Sequence, residues 1–371
     1  MTTTIMSGNK KSSNRWNYID LIEVIGMIFV LIYHCTTYDY CILESESTKL
    51  TYFRYFLRTI LSTCVPLFFF ANGYLLLNRK FDLKKHIIKS IKIVFLTFIW
   101  GIIGVMSIAL IDKTPLTVVE FLKNVWTWKL GWVNHLWYMG ALICIYVFLP
   151  VLKKVFDSSR NIFIYFTIIV SVFTFGNTFI NYVGSSILCV LGVSKTVYNF
   201  NWFNMFNPFY GIRGYAIAYF CIGGLAHEYK DKILAINVKK RNIISLCAII
   251  SSCIVLFMQG VLFSISTGEM WDVVWCGYDT ILTGINVLAI FVLSLNITRE
   301  IKVIKYISIN TLGIYFMHNI FIHLIRPQLV NISVFNTFSG SCLIAIIILV
   351  VSLTCTLFLQ KIPGLKKLVT I

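Results

Sequence analysis

The ionisable side chains of Glu23 and His34 stand eleven residues apart in a mostly apolar run that begins at Trp16. Eleven residues make about three turns of an α-helix, so the two side chains share a face and lie roughly 16 Å apart along its axis. Titratable groups in a membrane-spanning helix are costly and are candidates for function. The pattern therefore predicts a helix that turns this face towards other helices. His34 is either a group that exchanges protons near neutral pH or a packing histidine held by hydrogen bonds.

Three lysines follow the second apolar run at the spacing of one helix face: Lys85, Lys89 and Lys92. A group of cations at this position could bind phosphate groups. The same lysines are equally consistent with the ordinary charge signal of membrane topology or with a contact to lipid head groups. The other candidates for chemistry stand at the ends of later apolar runs or inside one of them: His135, Arg213 and His318.

The chain lacks the short motifs of several enzyme classes. It has no G-x-S-x-G elbow, no phosphate-binding glycine loop and no H-E-x-x-H. Its 11 cysteines contain no C-x-x-C pair and no Cys/His metal spacing, and most of them lie inside apolar stretches. Neither a disulfide framework nor a metal site is predicted, because buried thiols that behave as small hydrophobes explain the cysteines.

The composition indicates that lipid surrounds most of the chain. Of its 371 residues, 58% are hydrophobic and 13% are charged, whereas a soluble domain has about 25% charged residues. Apolar runs of spanning length must be helical in lipid, because their backbone groups need internal partners. The predicted fold class is an all-α integral membrane protein with about ten transmembrane helices. These are expected at 18–38, 56–78, 91–111, 134–152, 161–178, 211–229, 242–263, 278–297, 307–326 and 340–360.

The basic residues determine the predicted orientation. Most of the 32 lysines and arginines fall in every second connection, as the positive-inside bias requires when both termini are cytoplasmic. The net charge of +17 is then a feature of topology, and no nucleic-acid partner is needed. Residues 1–15 are predicted to form a cytoplasmic tail and residues 16–371 a single transmembrane domain. Three charged side chains near outer helix ends are interpreted as snorkelling to the membrane surface: Arg58, Asp279 and Arg326.

The longest outer connection, 179–210, is rich in asparagine and aromatic residues, and Trp202 is one of them. Rings beside amides suit a glycan, which stacks on aromatic faces and needs many hydrogen bonds. An aromatic belt at the membrane interface explains the same composition. Trp202 and Arg213, which stands at the outer end of the sixth predicted helix, are candidates for contact with a substrate.

Five stretches, in this order and on these helices, resemble a known family. They are W-N-Y-I-D-L-I-E-V-I-G-M-I-F-V-L-I-Y-H from Trp16, V-P-L-F-F-F-A-N-G-Y-L-L-L from Val65, L-K-K-H-I-I-K-S-I-K-I from Leu83, N-H-L-W-Y-M-G-A-L-I from Asn134 and S-I-N-T-L-G-I-Y-F-M-H from Ser308. The family is acyltransferase family 3, which includes the membrane-bound O-acetyltransferases of bacterial cell-surface polysaccharides. The likeness runs through nearly the whole chain, so the transmembrane domain resembles an acyltransferase domain.

The resemblance implies a reaction, a donor and partners. An acyl group, usually acetyl from coenzyme A, would pass to a hydroxyl of an extracytoplasmic glycan. The donor would be acetyl-CoA, with no metal. The partners would be membrane lipid and a surface or lipid-linked glycan, and the protein would be a multi-pass component of the bacterial plasma membrane.

The resemblance also implies roles for single residues. His34 matches the family's first-helix histidine and would be the catalytic base or an acyl relay. Lys89 and Lys92, lysines where arginines are more usual, would contact the donor's phosphates, with Lys85 beside them on the same helix face. His318 or His135 could orient the acceptor or His34.

The chain departs from the family at two positions. The family has arginine or lysine eleven residues before the histidine, where this chain has Glu23, and a carboxylate there would repel the donor's phosphates. Either Lys89 or Lys92 pairs with Glu23 and the donor site is rebuilt, or the donor differs, or the protein is a weak catalyst. The second departure is Asn72, a candidate for substrate contact, which precedes Gly73 where serine is commoner.

Two other functions would use a similar chain. A transporter or flippase of lipid-linked sugars also needs many helices and buried polar groups, although no internal repeat is detectable here. A non-catalytic membrane component of polysaccharide export is the second alternative, and Glu23 favours it. An acyltransferase, a transporter and a structural component are distinguished by turnover.

Overall fold

The computed structural model describes residues 15–36, 40–44, 47–193 and 213–370. Every regular element in these ranges is helical, which confirms the predicted all-α class. The longer helices are α1 (Asn17–His34), α2 (Lys49–Leu77), α3 (Leu83–Ile111), α4 (Val118–Thr127), α5 (Trp137–Ser158), α6 (Arg160–Leu188), α7 (Gly214–Leu234), α8 (Val238–Thr267), α9 (Ile281–Ser294), α10 (Lys302–Ile309), α11 (Thr311–Leu329) and α12 (Phe338–Lys361).

Seven helical segments in the described ranges are long and apolar enough to cross a membrane. They are α1, α2, α3, the segment Val118–Ser158 that contains α4 and α5, α6, α8 and α12. The other three predicted spans coincide with α7, α9 and α11, which lie outside this group. The protein is therefore a helical membrane protein. The count of ten spans and the cytoplasmic placement of both termini stay predictions.

Two local features differ from the sequence prediction. The helix expected from residue 278 begins at Ile281, because the hydroxyl of Thr280 accepts a hydrogen bond from the backbone N–H of Thr283 at 3.2 Å and caps the helix there.

The short helix α4 was not predicted. Its apolar side chains Val118, Leu122 and Trp126 are more than half exposed, as expected for a helix that lies along the membrane interface.

Helix α1 lies at the centre of the bundle. It packs against α2, α9, α10, α11 and α12. Its apolar side chains Ile22, Met27 and Leu31 are buried among these neighbours. Because α1 is surrounded, the face that carries Glu23 and His34 is turned into protein, as the polar spacing predicts.

Helices α2 and α7 cross in direct backbone contact. A Cβ atom on Gly73 would lie 1.8 Å from the carbonyl oxygen of Phe220, and one on Gly223 would lie 2.1 Å from that of Phe70. Only glycine leaves room for so close an approach. This crossing sets the position of Asn72 and of the rest of α2 beside α1.

Substitution of Gly73 by alanine is expected to destabilise the fold by about 1–3 kcal/mol, because the new methyl group forces two helix backbones apart. Thermal unfolding of the purified protein in detergent measures the effect. Gly284→Ala is the matched control, since its Cβ would meet only the Tyr219 hydroxyl at 4.0 Å. We expect the control to unfold at an unchanged or slightly higher temperature. Equal losses in both variants would contradict the close crossing.

Candidate active site

A cavity of about 520 Å³ lies beside α1. Its walls come from α1, α2, α3, α5, α10, α11 and the connection before α9. Glu23 lines one end and His34 the other, roughly 16 Å apart along α1. We call these the basic end, which also holds Arg79 and Lys89, and the histidine end, which also holds His135. The cavity thus joins the two groups that the spacing on α1 singled out.

Three imidazole rings meet at the histidine end. The ring centres of His34 and His318 are 5.4 Å apart, and those of His135 and His318 are 5.2 Å apart. His34 and His135 line the cavity, whereas His318 is fully buried behind them. No group of His, Cys, Asp and Glu side chains among the described residues is arranged to hold a metal ion. Imidazole rings can donate and accept protons, so the cluster is a candidate for acid–base chemistry.

Hydrogen bonds fix two of these rings. Nδ1 of His135 lies 2.7 Å from the carbonyl oxygen of Trp132, and Nδ1 of His318 lies 2.5 Å from that of Tyr315. A carbonyl oxygen only accepts, so Nδ1 carries the hydrogen and donates it in each ring. Nε2 of both rings is buried and has no hydrogen-bond partner in the described ranges. In the neutral rings these Nε2 atoms keep their lone pairs and can accept a proton.

The connection between α8 and α9, residues 268–280, forms the wall of the histidine end. Trp275 and Tyr278 from this connection line the cavity. The backbone of the connection is held in place by hydrogen bonds from two buried phenols: Tyr55 donates to the carbonyl oxygen of Trp271 at 2.8 Å, and Tyr219 donates to that of Tyr278 at 2.9 Å. The two aromatic side chains therefore stand at defined positions in front of the imidazoles.

An aspartate on the same connection joins it to α1 and α2. Asp272 accepts a hydrogen bond from the hydroxyl of Tyr33 at 2.8 Å and forms an ion pair with Arg58 at 3.5 Å. Arg58 is only 1% exposed and also donates to the hydroxyl of Thr36 at 2.9 Å. The interpretation of Arg58 as a snorkelling side chain is therefore wrong. The carboxylate and hydroxyl partners stabilise its charge inside the protein.

Two cations reach the basic end. Lys89 is half-buried, with its Nζ 5.7 Å from the ring centre of Tyr146. Arg79 follows α2 and places its guanidinium 5.5 Å from the ring of Trp16. In the part of the chain that the structure describes, neither cation forms an ion pair. Both can therefore bind an anion that enters the cavity.

Glu23 is held by a hydroxyl group. Oγ of Ser308 lies 2.5 Å from Oε2 of Glu23, 3.1 Å from Oδ1 of Asp20 and 3.0 Å from Nη2 of Arg15. Arg15 also pairs with Asp20 at 2.7 Å. Glu23 itself forms no ion pair within the described ranges, so the alternative in which Lys89 pairs with Glu23 is wrong.

The other predicted lysines lie away from the cavity. Lys92 is exposed, so a pair between Lys92 and Glu23 is also absent. The Lys85 side chain is 85% exposed and pairs with Asp82 at 3.4 Å. Helical spacing places the three lysines roughly on one side of α3, yet only Lys89 reaches the cavity.

The candidates for substrate contact fall into three places. Asn72 lines the cavity, and its amide donates to the carbonyl oxygen of Phe68 at 2.9 Å. Arg213 lies behind the cavity wall, with its guanidinium carbon 4.1 Å from the ring centre of Trp137. Trp202 lies outside the described residues.

Arg79 is the cavity residue that the sequence analysis overlooked most clearly. It belongs to the basic run that was interpreted as a signal of membrane topology. Its distance from Lys89 in the sequence, ten residues, does not match one helix face, so no local pattern connected them. Tyr33, Trp137 and Tyr138 were also missed, because aromatic residues are common throughout this chain.

The fold is that of a helical membrane protein, and its cavity has cations at one end and imidazoles at the other. Residues 16–359 match the model of the acyltransferase family 3 domain, and the chain therefore belongs to this family. This confirms the resemblance inferred from the five stretches. No curated protein and no solved structure matches the chain significantly. Family membership supports an acyltransferase activity.

Proposed function

We propose that the protein transfers an acyl group, in the simplest case acetyl, from a cytoplasmic acyl-CoA to a hydroxyl of an extracytoplasmic glycan. The observation that supports this most is that one cavity has Arg79 and Lys89 at one end and His34 at the other. With both termini cytoplasmic, the basic end faces the cytoplasm and the histidine end faces outwards. The bacterial plasma membrane is the proposed location.

The donor would enter from the basic end. Its phosphates would bind Arg79 and Lys89, which present guanidinium and ammonium donors. Its long, narrow pantetheine arm would then follow the cavity along α1, past Asn72, towards His34. The thioester carbonyl would lie where the imidazoles meet, with water excluded by the aromatic side chains around it.

The chemistry needs one base. A ring nitrogen of His34 takes the proton of the acceptor hydroxyl while the hydroxyl oxygen attacks the thioester carbonyl carbon. The C–S bond then breaks, the ester remains on the glycan, and the proton passes to the thiolate, so free coenzyme A leaves as a thiol. In a relay, His34 would first accept the acyl group itself and then pass it to the hydroxyl. His135 and His318, with their fixed Nδ1–H groups, would orient His34 or share its proton.

The hydrogen bonds at Ser308 support a neutral Glu23 beside the proposed donor site. The hydroxyl carries one hydrogen and accepts from Arg15, and two carboxyl groups contact it. The single hydroxyl hydrogen can be donated to only one of the two carboxyl groups. Both carboxyl contacts are hydrogen bonds when the other carboxyl group is protonated and donates its proton to the Ser308 oxygen. Asp20 is paired with Arg15, so the proton belongs on Glu23. A neutral Glu23 does not repel the donor's phosphates.

Two substitutions of Glu23 test this arrangement. Glu23→Gln is expected to leave coenzyme A binding nearly unchanged, because a neutral group replaces a neutral group. Glu23→Arg is expected to tighten binding about three- to tenfold, since one added cation contributes about 1 kcal/mol. Equilibrium binding of coenzyme A to the purified variants measures both. Weaker or unchanged binding in the arginine variant would count against this position of the donor site.

Turnover tests the proposed function. Purified protein should cleave acetyl-CoA only when a glycan acceptor is present, with one ester formed for each thiol released. Glycan movement across vesicles without acyl transfer would favour a transporter instead. In cells, the O-acetyl content of surface glycans should fall when the protein is removed.

A further inference from the structure

A second group of polar and aromatic side chains lies behind the wall of the histidine end. The guanidinium carbon of Arg213 is 4.1 Å from the ring centre of Trp137 and 5.1 Å from that of Trp275. Both indoles also line the cavity. Arg213 is therefore separated from the space in front of His34 by about the thickness of one ring. We call Arg213, Trp137, Trp275 and the nearby Tyr215 the Arg213 cluster.

The backbone holds Arg213 in this position at a cost. Its φ is +54°, in the left-handed region that residues other than glycine rarely adopt. It directly precedes Gly214, the first residue of α7, whose remaining length packs tightly on α2. Strained residues of this kind persist where the surrounding structure requires them, and they concentrate at binding sites.

The charge of Arg213 is not neutralised by a nearby acid. Among the described residues it forms no ion pair. The preceding segment 194–212 contains no aspartate and no glutamate. The carboxylate of Asp279, whose charge reaches the neighbouring Tyr215, forms no ion pair with Arg213 within the described ranges, and that of Asp272 on the same connection is engaged by Arg58 and Tyr33. The cation is thus available to an anion from outside the chain.

A second unsatisfied donor stands beside Arg213. Tyr215 is 92% buried, being 8% exposed, and its hydroxyl has no partner with hydrogen-bond geometry in the described part of the chain. Arg213 acts on this phenol through its charge and as a hydrogen-bond donor, so the two groups are close, and a guanidinium cannot accept the phenol's own hydrogen. A buried hydroxyl without a partner is unfavourable. An anion bound to Arg213 would supply the missing acceptor.

We propose that the Arg213 cluster binds a carboxylate carried by the acceptor, so that the acceptor is an acidic glycan of the uronic acid type. The guanidinium fork matches a carboxylate with two parallel hydrogen bonds. The ring of Trp275, which is 38% exposed, offers a face on which a sugar can stack. Trp275 also lines the cavity that His34 lines, so a sugar stacked on this ring lies beside that cavity. That the bound sugar is the acceptor rests on the proposed function. That the cluster binds an acidic sugar does not depend on it.

A pair of simple sugars tests the inference. Methyl β-glucuronide and methyl β-glucoside have the same pyranose ring. The glucuronide carries a carboxylate where the glucoside carries a hydroxymethyl group. Binding to the full chain in nanodiscs of zwitterionic lipid is measured by calorimetry or by saturation-transfer NMR. We expect the glucuronide to bind about tenfold more tightly or better, as one charge-assisted contact implies.

Variants assign this preference to one side chain. Arg213→Gln should remove the preference, and Arg213→Lys should keep part of it, because the charge remains while the planar fork is lost. Lys129→Gln is the matched control. Lys129 is an exposed cation that shortly precedes His135 in the chain and does not line the cavity. The control should keep the full preference.

Several results would overturn the inference. They are equal binding of the two sugars, binding of neither, or a preference that survives Arg213→Gln. Loss of glucuronide binding when phosphatidylglycerol is added to the nanodiscs would assign the cluster to a lipid phosphate and overturn it as well. Glucuronide binding through Arg213 without any acyl transfer would contradict the proposed function alone. Acyl transfer without a preference for acidic sugars would contradict this inference alone.

Discussion

Replacement of His34 by alanine is expected to lower kcat for acyl transfer by about 10²- to 10⁴-fold, the usual contribution of a positioned general base. The donor Michaelis constant should stay nearly the same, because the proposed site for the donor's phosphates is at the other end of the cavity. Thiol release and ester formation, followed together with purified protein, measure both constants. Added imidazole should restore part of the activity, since the deleted ring leaves space beside the cavity.

A matched control separates chemistry from folding. His323 is on α11, as is His318, but its ring stacks on Trp132 at 5.1 Å and does not line the cavity. His323→Gln should therefore keep nearly normal kcat. Full activity in His34→Ala would contradict the assigned base. A loss that imidazole does not rescue, accompanied by a lower unfolding temperature, would indicate a packing role for His34.

Replacement of Arg79 and Lys89 by glutamine is expected to raise the donor Michaelis constant about tenfold for each residue, because each loses a charged contact to phosphate. The acceptor's Michaelis constant should change little, since the proposed acceptor site is near His34. Steady-state kinetics with each substrate varied in turn measure this difference. The effect should weaken at high salt, where charges are screened.

Lys80 provides the control for these two cations. It is the exposed neighbour of Arg79 and does not line the cavity. Lys80→Gln should leave the donor's constant unchanged. Equal increases for donor and acceptor in the Arg79 or Lys89 variants would argue for a folding role. If the donor Michaelis constant rises as much in the Lys80 variant as in the Arg79 and Lys89 variants, general surface charge attracts the donor.

Local periodicity was sufficient to predict the position of α1 and its polar face. Glu23 and His34 share that face because three helical turns separate them, and lipid disfavours their exposure. The same reasoning placed Lys85 with Lys89, yet Lys85 stands in the first turn of α3, beyond the edge of the cavity, and is exposed. Spacing along a helix does not define where the helix meets its neighbours.

The parts that could not be predicted depend on contacts between distant residues. Tyr33 and Asp272 are 239 residues apart in the chain, and their hydrogen bond brings the connection 268–280 to the histidine end. Arg58 near a predicted helix end looked like a surface cation, because nothing beside it in the sequence shows the carboxylate that it meets. His135 and His318 were candidates separately, but their meeting with His34 required the fold.

A vesicle experiment with donor and acceptor on opposite sides tests most directly whether one cavity joins them. The protein is reconstituted in sealed vesicles, labelled acetyl-CoA is supplied on the side of Arg79 and Lys89, and a glycan acceptor is enclosed on the other. We expect labelled ester on the acceptor across the membrane, with one thiol released for each ester. Thiol release that ignores the acceptor, or ester that forms only when both substrates share one side, would contradict the account.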